Sequence, residues 1–128
     1  MQAILVKQAG GSEQLYIGQA PIPKLGPDEL LIEVAATALN RADLLQRAGK
    51  YPPPPGESTI LGLELSGTVV DKGINVHRWK IGDKVCGLVG GGAYAQYATI
   101  HQNLALPIPD GLSFQEAAAI PEVFLTAY

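Results

Sequence analysis

A mainly β domain, closed into a partly open barrel with a few short helices, is predicted by three features of this 128-residue sequence. Fifteen glycines and ten prolines cut the chain into short pieces. Most of those pieces carry the period-two or continuous apolar pattern of strands. Six or seven strands at such spacing suit a barrel better than an open sheet. The length supports one domain over residues 1–128 with a real core and is short for two.

Residues 2–7 and 15–20 read as two strands joined at the Gly10-Gly11 turn, so a hairpin opens the fold, and Pro21, Pro23 and Pro27 punctuate the loop that follows. Leu30, Ile32, Val34 and Ala36 share one face of the next strand, with Glu29 and Glu33 on the other. That strand is half buried. Asp43, Leu44, Arg47 and Ala48 have helical spacing after Asn40, whose side chain can accept from the free amides of a first turn, and Gly49 suits the stop. Residues 61–70 form another strand ending at the turn Asp71-Lys72-Gly73, strands 84–89 and 94–100 flank Gly90-Gly91-Gly92, and a short strand at 104–106 runs into Pro107. Ser113 and Glu116 have capping-box spacing before Ala117-Ala118-Ala119, which predicts a helix. Pro121 opens a second helix over 122–128. It stops inside the apolar run Val123-Phe124-Leu125, a C-terminal helix cut short where a larger protein would continue. The other reading docks that helix on its own barrel.

Composition removes several function classes. Forty-seven per cent hydrophobic residues and a formal net charge of −3 describe a soluble globular protein without the basic patch a nucleic-acid partner needs. The apolar stretch 85–108 is broken by glycines, Gln96, His101 and Pro107, so it is no membrane span. The N-terminus lacks a signal peptide, which makes a cytoplasmic location the default. Cys86 stands alone and rules out an internal disulfide and a multi-cysteine zinc site. It reads as a small core residue. His77 and His101 read as isolated surface or loop histidines, and Trp79, Tyr94 and Tyr97 as core or barrel-surface aromatics.

Two segments carry polar groups at element ends, where function tends to sit: Asn40-Arg41-Ala42-Asp43 with Tyr51 beyond it, and Gly62-Leu63-Glu64-Leu65-Ser66-Gly67. From the residues alone Asn40 is a helix cap, and Asp43 can form a solvated i,i+4 pair with Arg47. Tyr51 is either an aromatic anchor for the Pro52-Pro53-Pro54-Pro55 loop or a phenol donor in a pocket. Glu64, in an apolar strand, needs a partner, most simply an ion pair. Gly62 and Gly67 mark a close backbone approach or a bulge.

The order Asn40-Arg-Ala-Asp43, Gly49-Lys-Tyr51, Gly62-Leu-Glu64-Leu-Ser-Gly67, Gly82-Asp83-Lys-Val85, Ala117-Ala-Ala-Ile-Pro121 and Leu125-Thr126-Ala-Tyr128 resembles the medium-chain dehydrogenase/reductase superfamily. Within it, the match is to the zinc-free quinone oxidoreductases of the p53-inducible quinone oxidoreductase type. The resemblance implies a GroES-like barrel, the N-terminal catalytic domain of those enzymes, followed in the family by a Rossmann domain that this chain does not contain. It also implies that Asn40 lies near nicotinamide and substrate, that Tyr51 lines the quinone pocket, and that the Thr126 hydroxyl reaches the nicotinamide end of NADPH.

Zinc-dependent relatives place cysteine, histidine and cysteine where this chain has Asn40, Leu63 and Glu122. Leucine cannot coordinate, an amide is a poor ligand, and one carboxylate does not hold a catalytic zinc, so no metal is expected. Without a Lewis acid an alcohol is a poor hydride donor, whereas a quinone or enone carries its own electron sink. The resemblance therefore implies NADPH-dependent reduction of a quinone or enone with Tyr51 and Asn40 at the reacting groups, and a homodimer is possible in the full-length protein. Little activity is expected from these residues alone, because dinucleotide affinity lies largely in the other half. The alternative is a non-catalytic GroES-like binding or self-associating module.

Overall fold

In the computed structural model, which describes residues 1–53 and 55–122, the N-terminal segments pair as predicted. β1 (Gln2–Val6) runs antiparallel to β2 (Leu15–Gln19), from Gln2 opposite Gln19 to Val6 opposite Leu15. Their connection is longer than a Gly10-Gly11 turn. It includes a 3-10 turn at Ser12–Gln14 and is tied down from outside, with Gly10 N–H donating to the Arg47 carbonyl at 3.0 Å and Arg47 Nε returning a bond to the Gly10 carbonyl at 3.2 Å.

The main sheet contains β3 (Glu29–Thr37), β4 (Glu64–Lys72), β5 (Lys84–Leu88), β6 (Tyr97–His101) and β7 (Ala105–Pro107). Their spatial order is β6-β3-β4-β5-β7, and each neighbouring pair is antiparallel. The alternation in β3 appears as expected, with Leu30 and Ile32 buried and Glu33 exposed. These two residues join Leu65, Val69, Val85 and Ile100 in a core closed by Trp79, whose indole N–H donates to the Gln102 carbonyl at 3.0 Å. Each fully buried aliphatic side chain contributes about 1.5–3 kcal/mol.

Some boundaries differ for backbone reasons. Asp71 and Lys72, read as turn residues, remain in β4 opposite Leu31 and Leu30, because β3 still offers them backbone partners. The chain turns at Gly73, where a Cβ would meet the carbonyl oxygens of Gly26 and Pro27. The strand predicted from residue 94 starts at Tyr97, since the segment before it is drawn to the hairpin. Ala95 bridges Ala3, the Tyr94 carbonyl accepts from Ile4 N–H at 2.8 Å, and Gln96 N–H donates to the Gln2 carbonyl at 3.1 Å.

The β3–β4 register slips between Leu31 and Ile32 and again between Val34 and Ala36. Gly67 lies opposite Val34, where a Cβ would strike the Glu33 carbonyl oxygen, so its glycine permits the close approach. Such bulges bend a strand. The sheet curls into a half-barrel, the partly open form that the strand spacing predicted.

Among the described residues are two short helices, α1 (Arg41–Arg47) and α2 (Phe114–Ala118), and α2 packs against β3, β4 and β5. The Ser113 box is complete, with Glu116 N–H donating to Ser113 Oγ at 3.1 Å and Ser113 N–H to Glu116 Oε1 at 3.0 Å. Gly49 follows α1 with φ +80°, the left-handed residue that stops it. Pro121 and Glu122 begin another helical turn. The rest of the predicted second helix, with Val123, Phe124, Leu125 and Thr126, lies outside the described residues. Among the described residues no helix is long and apolar enough to cross a membrane.

Candidate active site

Asn40 sits where β3 hands over to α1. The Thr37 hydroxyl donates to the Glu64 carbonyl at 2.7 Å and pins the end of β3 to the start of β4. Asn40 then takes the N-cap with extended backbone (φ −130°, ψ 156°), facing Asp43 in a capping-box arrangement. The short bond of that box runs from Asn40 N–H to Asp43 Oδ2 at 2.9 Å. The Asn40 side chain is used elsewhere, because its Nδ2 donates to Glu64 Oε1 at 2.8 Å. The second Glu64 oxygen, Oε2, accepts from Glu122 N–H at 2.9 Å.

Two sequence readings are corrected here. Asp43 forms no solvated pair with Arg47. It is 2% exposed, and its Oδ2 also accepts from the Tyr94 hydroxyl at 2.6 Å. The capping geometry turns the third residue of α1 inward, so the i,i+4 rule for exposed helix faces does not apply to it. Arg47 serves the Gly10 carbonyl instead. Glu64, 1% exposed, meets no cation among the described residues. Its charge is stabilised by the neutral N–H donors of Asn40 and Glu122, charge-assisted bonds roughly twice as strong as neutral ones.

Tyr94 is a member of this group that sequence reasoning left among the core or barrel-surface aromatics. Burial, then the Asp43 hydrogen bond, then the charges of Asp43 and Glu64 push its phenol far above the usual tyrosine range. It is therefore a neutral donor to Asp43. Gly62 makes room for the ring, since at φ +108° a Cβ there would lie 2.7 Å from Tyr94 Cδ1. The glycine opening the 62–67 motif was the available signal. Cys86, across from Ser66 on β5, is buried as predicted, and burial followed by the Glu64 charge pushes its thiol up. Asp43 Oδ1 is buried with no hydrogen-bond partner among the described residues.

Tyr51 follows α1 and is exposed, and no hydrogen bond among the described residues joins it to the Asn40 group. Thr126 lies outside the described residues. The structure thus unites Asn40 with Asp43, Glu64 and Tyr94 and leaves Tyr51 as a separate exposed phenol. His77 and His101 are both exposed, as expected. A cleft of about 540 Å³ lies beside this group, lined by Ile4, Ile17, Val34, Ala36, Leu39 and Tyr94 among others. Neither Asn40 nor Tyr51 lines it. Its walls include Leu39 and Ile17, 82% and 70% exposed.

Among the described residues no group of three or more His, Cys, Asp or Glu is placed to hold a metal ion. The described helix N-termini do not suit the phosphates of a dinucleotide. Asn40 is a fixed polar side chain at an element junction, whereas α1 and α2 both carry an acid in the first turn, Asp43 and Glu116, where a phosphate would need unopposed amides.

The alcohol dehydrogenase GroES-like domain family matches residues 26–110. Mouse "Synaptic vesicle membrane protein VAT-1 homolog-like" is 37% identical over 128 residues, covering the whole of this chain and 31% of that protein. A quinone oxidoreductase structure from Coxiella burnetii superposes with a TM-score of 0.90 at 32% identity, over 99% of this chain and 43% of that one. The Escherichia coli quinone oxidoreductase complexed with NADPH gives 0.83 at 31% identity, over 94% and 37%. The chain thus spans less than half the length of each of these proteins.

Proposed function

Because the chain belongs to the alcohol dehydrogenase GroES-like domain family, we propose that it is the substrate-side domain of a zinc-independent, NADPH-dependent oxidoreductase acting on a quinone or enone. The observation that carries this reading is the bond from Asn40 Nδ2 to Glu64 Oε1. It turns a nitrogen, not a lone pair, toward the carboxylate, so the Asn40–Glu64 pair is already satisfied as donor and acceptor. Leu63, half-buried beside it, has no donor atom. Such a set holds Asn40 in place and does not assemble three ligands for a catalytic zinc. The NADPH complex of the E. coli quinone oxidoreductase supports the choice of cofactor.

Bound NADPH supplies a hydride. This chain's part is to orient and to hydrogen-bond the substrate: Asn40, clamped at its backbone and side chain, fixes the position of the group against it. Tyr51, exposed and bonded to neither carboxylate, donates a hydrogen bond to the substrate oxygen that gains electron density. Thr126 is assigned to the nicotinamide end. The pyrophosphate is assigned to a nucleotide-binding domain beyond these residues, through which a homodimer would form, and the location is cytoplasmic.

A second reading, a self-associating or binding module without catalysis, is favoured by the apolar cleft with its exposed Ile17 and Leu39. One experiment separates the two. The 128-residue chain and the same chain joined to a nucleotide-binding domain are titrated with NADPH by fluorescence and assayed with a quinone. Turnover by the joined protein that survives a chelator supports the enzyme, with little turnover from the chain alone. Turnover abolished by the chelator refutes zinc independence. Asn40→Ala and Tyr51→Phe each lower turnover, and unchanged rates in both would remove the assigned roles.

A further inference from the structure

Glu64 is the common anchor of three elements. It starts β4, its Oε1 takes the side chain of Asn40 ahead of α1, and its Oε2 takes the backbone N–H of Glu122. An asparagine amide has two nearly isosteric ends, a carbonyl oxygen and an NH2, and only its partners decide which faces where. A carboxylate accepts and cannot donate. With Glu64 almost wholly buried, the flipped amide would set oxygen against oxygen without water to intervene, so one orientation survives.

We propose that Glu64 is a positioning residue for Asn40: it locks the carboxamide with its nitrogen inward and its oxygen turned away from β4. A bond from Nδ2 to a carboxylate also moves electron density onto the amide oxygen. That oxygen lies on the α1 side, where the capping box sets it against the Asp43 backbone N–H, and its second lone pair selects a ligand group that donates, such as a hydroxyl or a primary carboxamide. Asp43 completes the lock from the other end, since its Oδ2 accepts the Asn40 backbone N–H and is itself held by the Tyr94 hydroxyl. Neither carboxylate touches the reacting atoms, and both act through Asn40. This inference rests on the proposed function for its consequence, but the lock belongs to this chain alone.

The test uses the 15N-labelled 128-residue chain and reads the two side-chain protons of Asn40 by NMR. Glu64→Met keeps the length of the side chain and removes both acceptors. The expected result is at least about tenfold faster solvent exchange of the Asn40 amide protons, the lower end of what one lost charge-assisted bond gives, while the backbone amides of Leu65 and Val69 keep their protection. Unchanged exchange at Asn40 overturns the proposal. So does an equal loss at Leu65 and Val69, which would make Glu64 a structural residue only. If Glu64→Met does not fold, Glu64→Gln replaces it, with its single acceptor oxygen for two donors. A smaller change in the same sense at Asn40 or at Glu122 N–H is then expected, and no change at either overturns the proposal. Lost Asn40 protection alongside unaltered turnover in Asn40→Ala would leave the lock standing and remove the catalytic reading. The reverse pattern would do the opposite.

Discussion

Replacing Asn40 by aspartate separates a helix cap from a clamped side chain. As a cap alone, the change is benign, because Asp and Asn are equivalent at the N-cap and a negative charge at a helix N-terminus gains about 0.3–1 kcal/mol. The structure predicts the opposite sign. The nitrogen that donates to Glu64 Oε1 at 2.8 Å becomes an oxygen, which removes a charge-assisted bond worth about 1.5–3 kcal/mol. It also sets two carboxylates against each other. At about 4 Å and an effective dielectric near 20 their repulsion is on the order of 4 kcal/mol, an upper bound because the pair can share a proton instead. A net loss of about 2–4 kcal/mol is expected at pH 7.

For a chain of this length about 1 kcal/mol moves Tm by roughly 4 °C, so a fall of roughly 8–16 °C follows. The assay is thermal and urea unfolding followed by circular dichroism and by fluorescence of the buried Trp79. Because the introduced carboxyl is raised by its neighbour, the deficit is present above the ordinary carboxylate range and shrinks as pH falls and a proton is shared. Adding Glu64→Gln to Asn40→Asp restores a donor–acceptor pair and recovers most of the loss. A variant at least as stable as the parent at pH 7, with no coupling to Glu64→Gln, would refute the reasoning and return Asn40 to a simple cap.

Tyr94→Phe leaves Asp43 Oδ2 with one donor and costs about 1.5–3 kcal/mol in urea denaturation. The folded phenol sits above its unfolded value, so the folded state binds the proton more tightly. Stability is full below about pH 10 and is lost as pH rises beyond it. The phenylalanine variant lacks this alkaline decline, and parallel curves for the two proteins would contradict the assignment. Gly67→Ala drives a Cβ into the fixed Glu33 carbonyl and is expected to abolish soluble expression or lower stability by several kcal/mol. Gly82→Ala, at φ +98° in open space, costs only about 1–2 kcal/mol, and equal losses at the two sites would count against the bulge. Glu116 is held below its usual carboxylate value by the backbone N–H and hydroxyl of Ser113. An NMR titration in Ser113→Ala is expected to move it back up, and an unmoved curve would show that the box does not form in solution.

The fold was legible wherever local chemistry and tertiary packing agree. Leu30 and Ile32 alternate with Glu29 and Glu33 because a half-buried strand requires it, and Ser113 with Glu116 specifies a cap without tertiary help. Asp71 and Lys72 misled because a turn-like composition does not stop a strand whose neighbour still offers backbone partners. At the site, the motifs located Asn40 and Glu64 but not what they do to each other. Twenty-four positions separate them, fifty-one separate Asp43 from Tyr94, and pairings at such range are set by the curl of the sheet. The same cause underlies the Asp43 and Glu64 errors. Charge in a sequence suggests ion pairs, yet here burial left neutral N–H and O–H groups as the available partners.

Two buried carboxylates without a cation among the described residues impose a direction on the chemistry proposed for this site. Desolvating each anion costs several kcal/mol unless its lone pairs are filled, and the donors here reach both Glu64 oxygens and Asp43 Oδ2 but leave Asp43 Oδ1 without one among the described residues. Their bonds offset the cost without cancelling the negative potential: burial is the first cause of the upward shifts of the Cys86 thiol and the Tyr94 phenol, and the Glu64 charge adds to both. A ligand facing Asn40 meets that potential. It favours a group whose charge becomes more positive during hydride transfer and disfavours a developing oxyanion. Under the proposed function, the nicotinamide side therefore belongs against Asn40, and the substrate oxygen that accumulates negative charge belongs with the exposed Tyr51 phenol, which bonds to neither carboxylate. The separation of Tyr51 from the Asn40 group is then the arrangement this charge distribution requires.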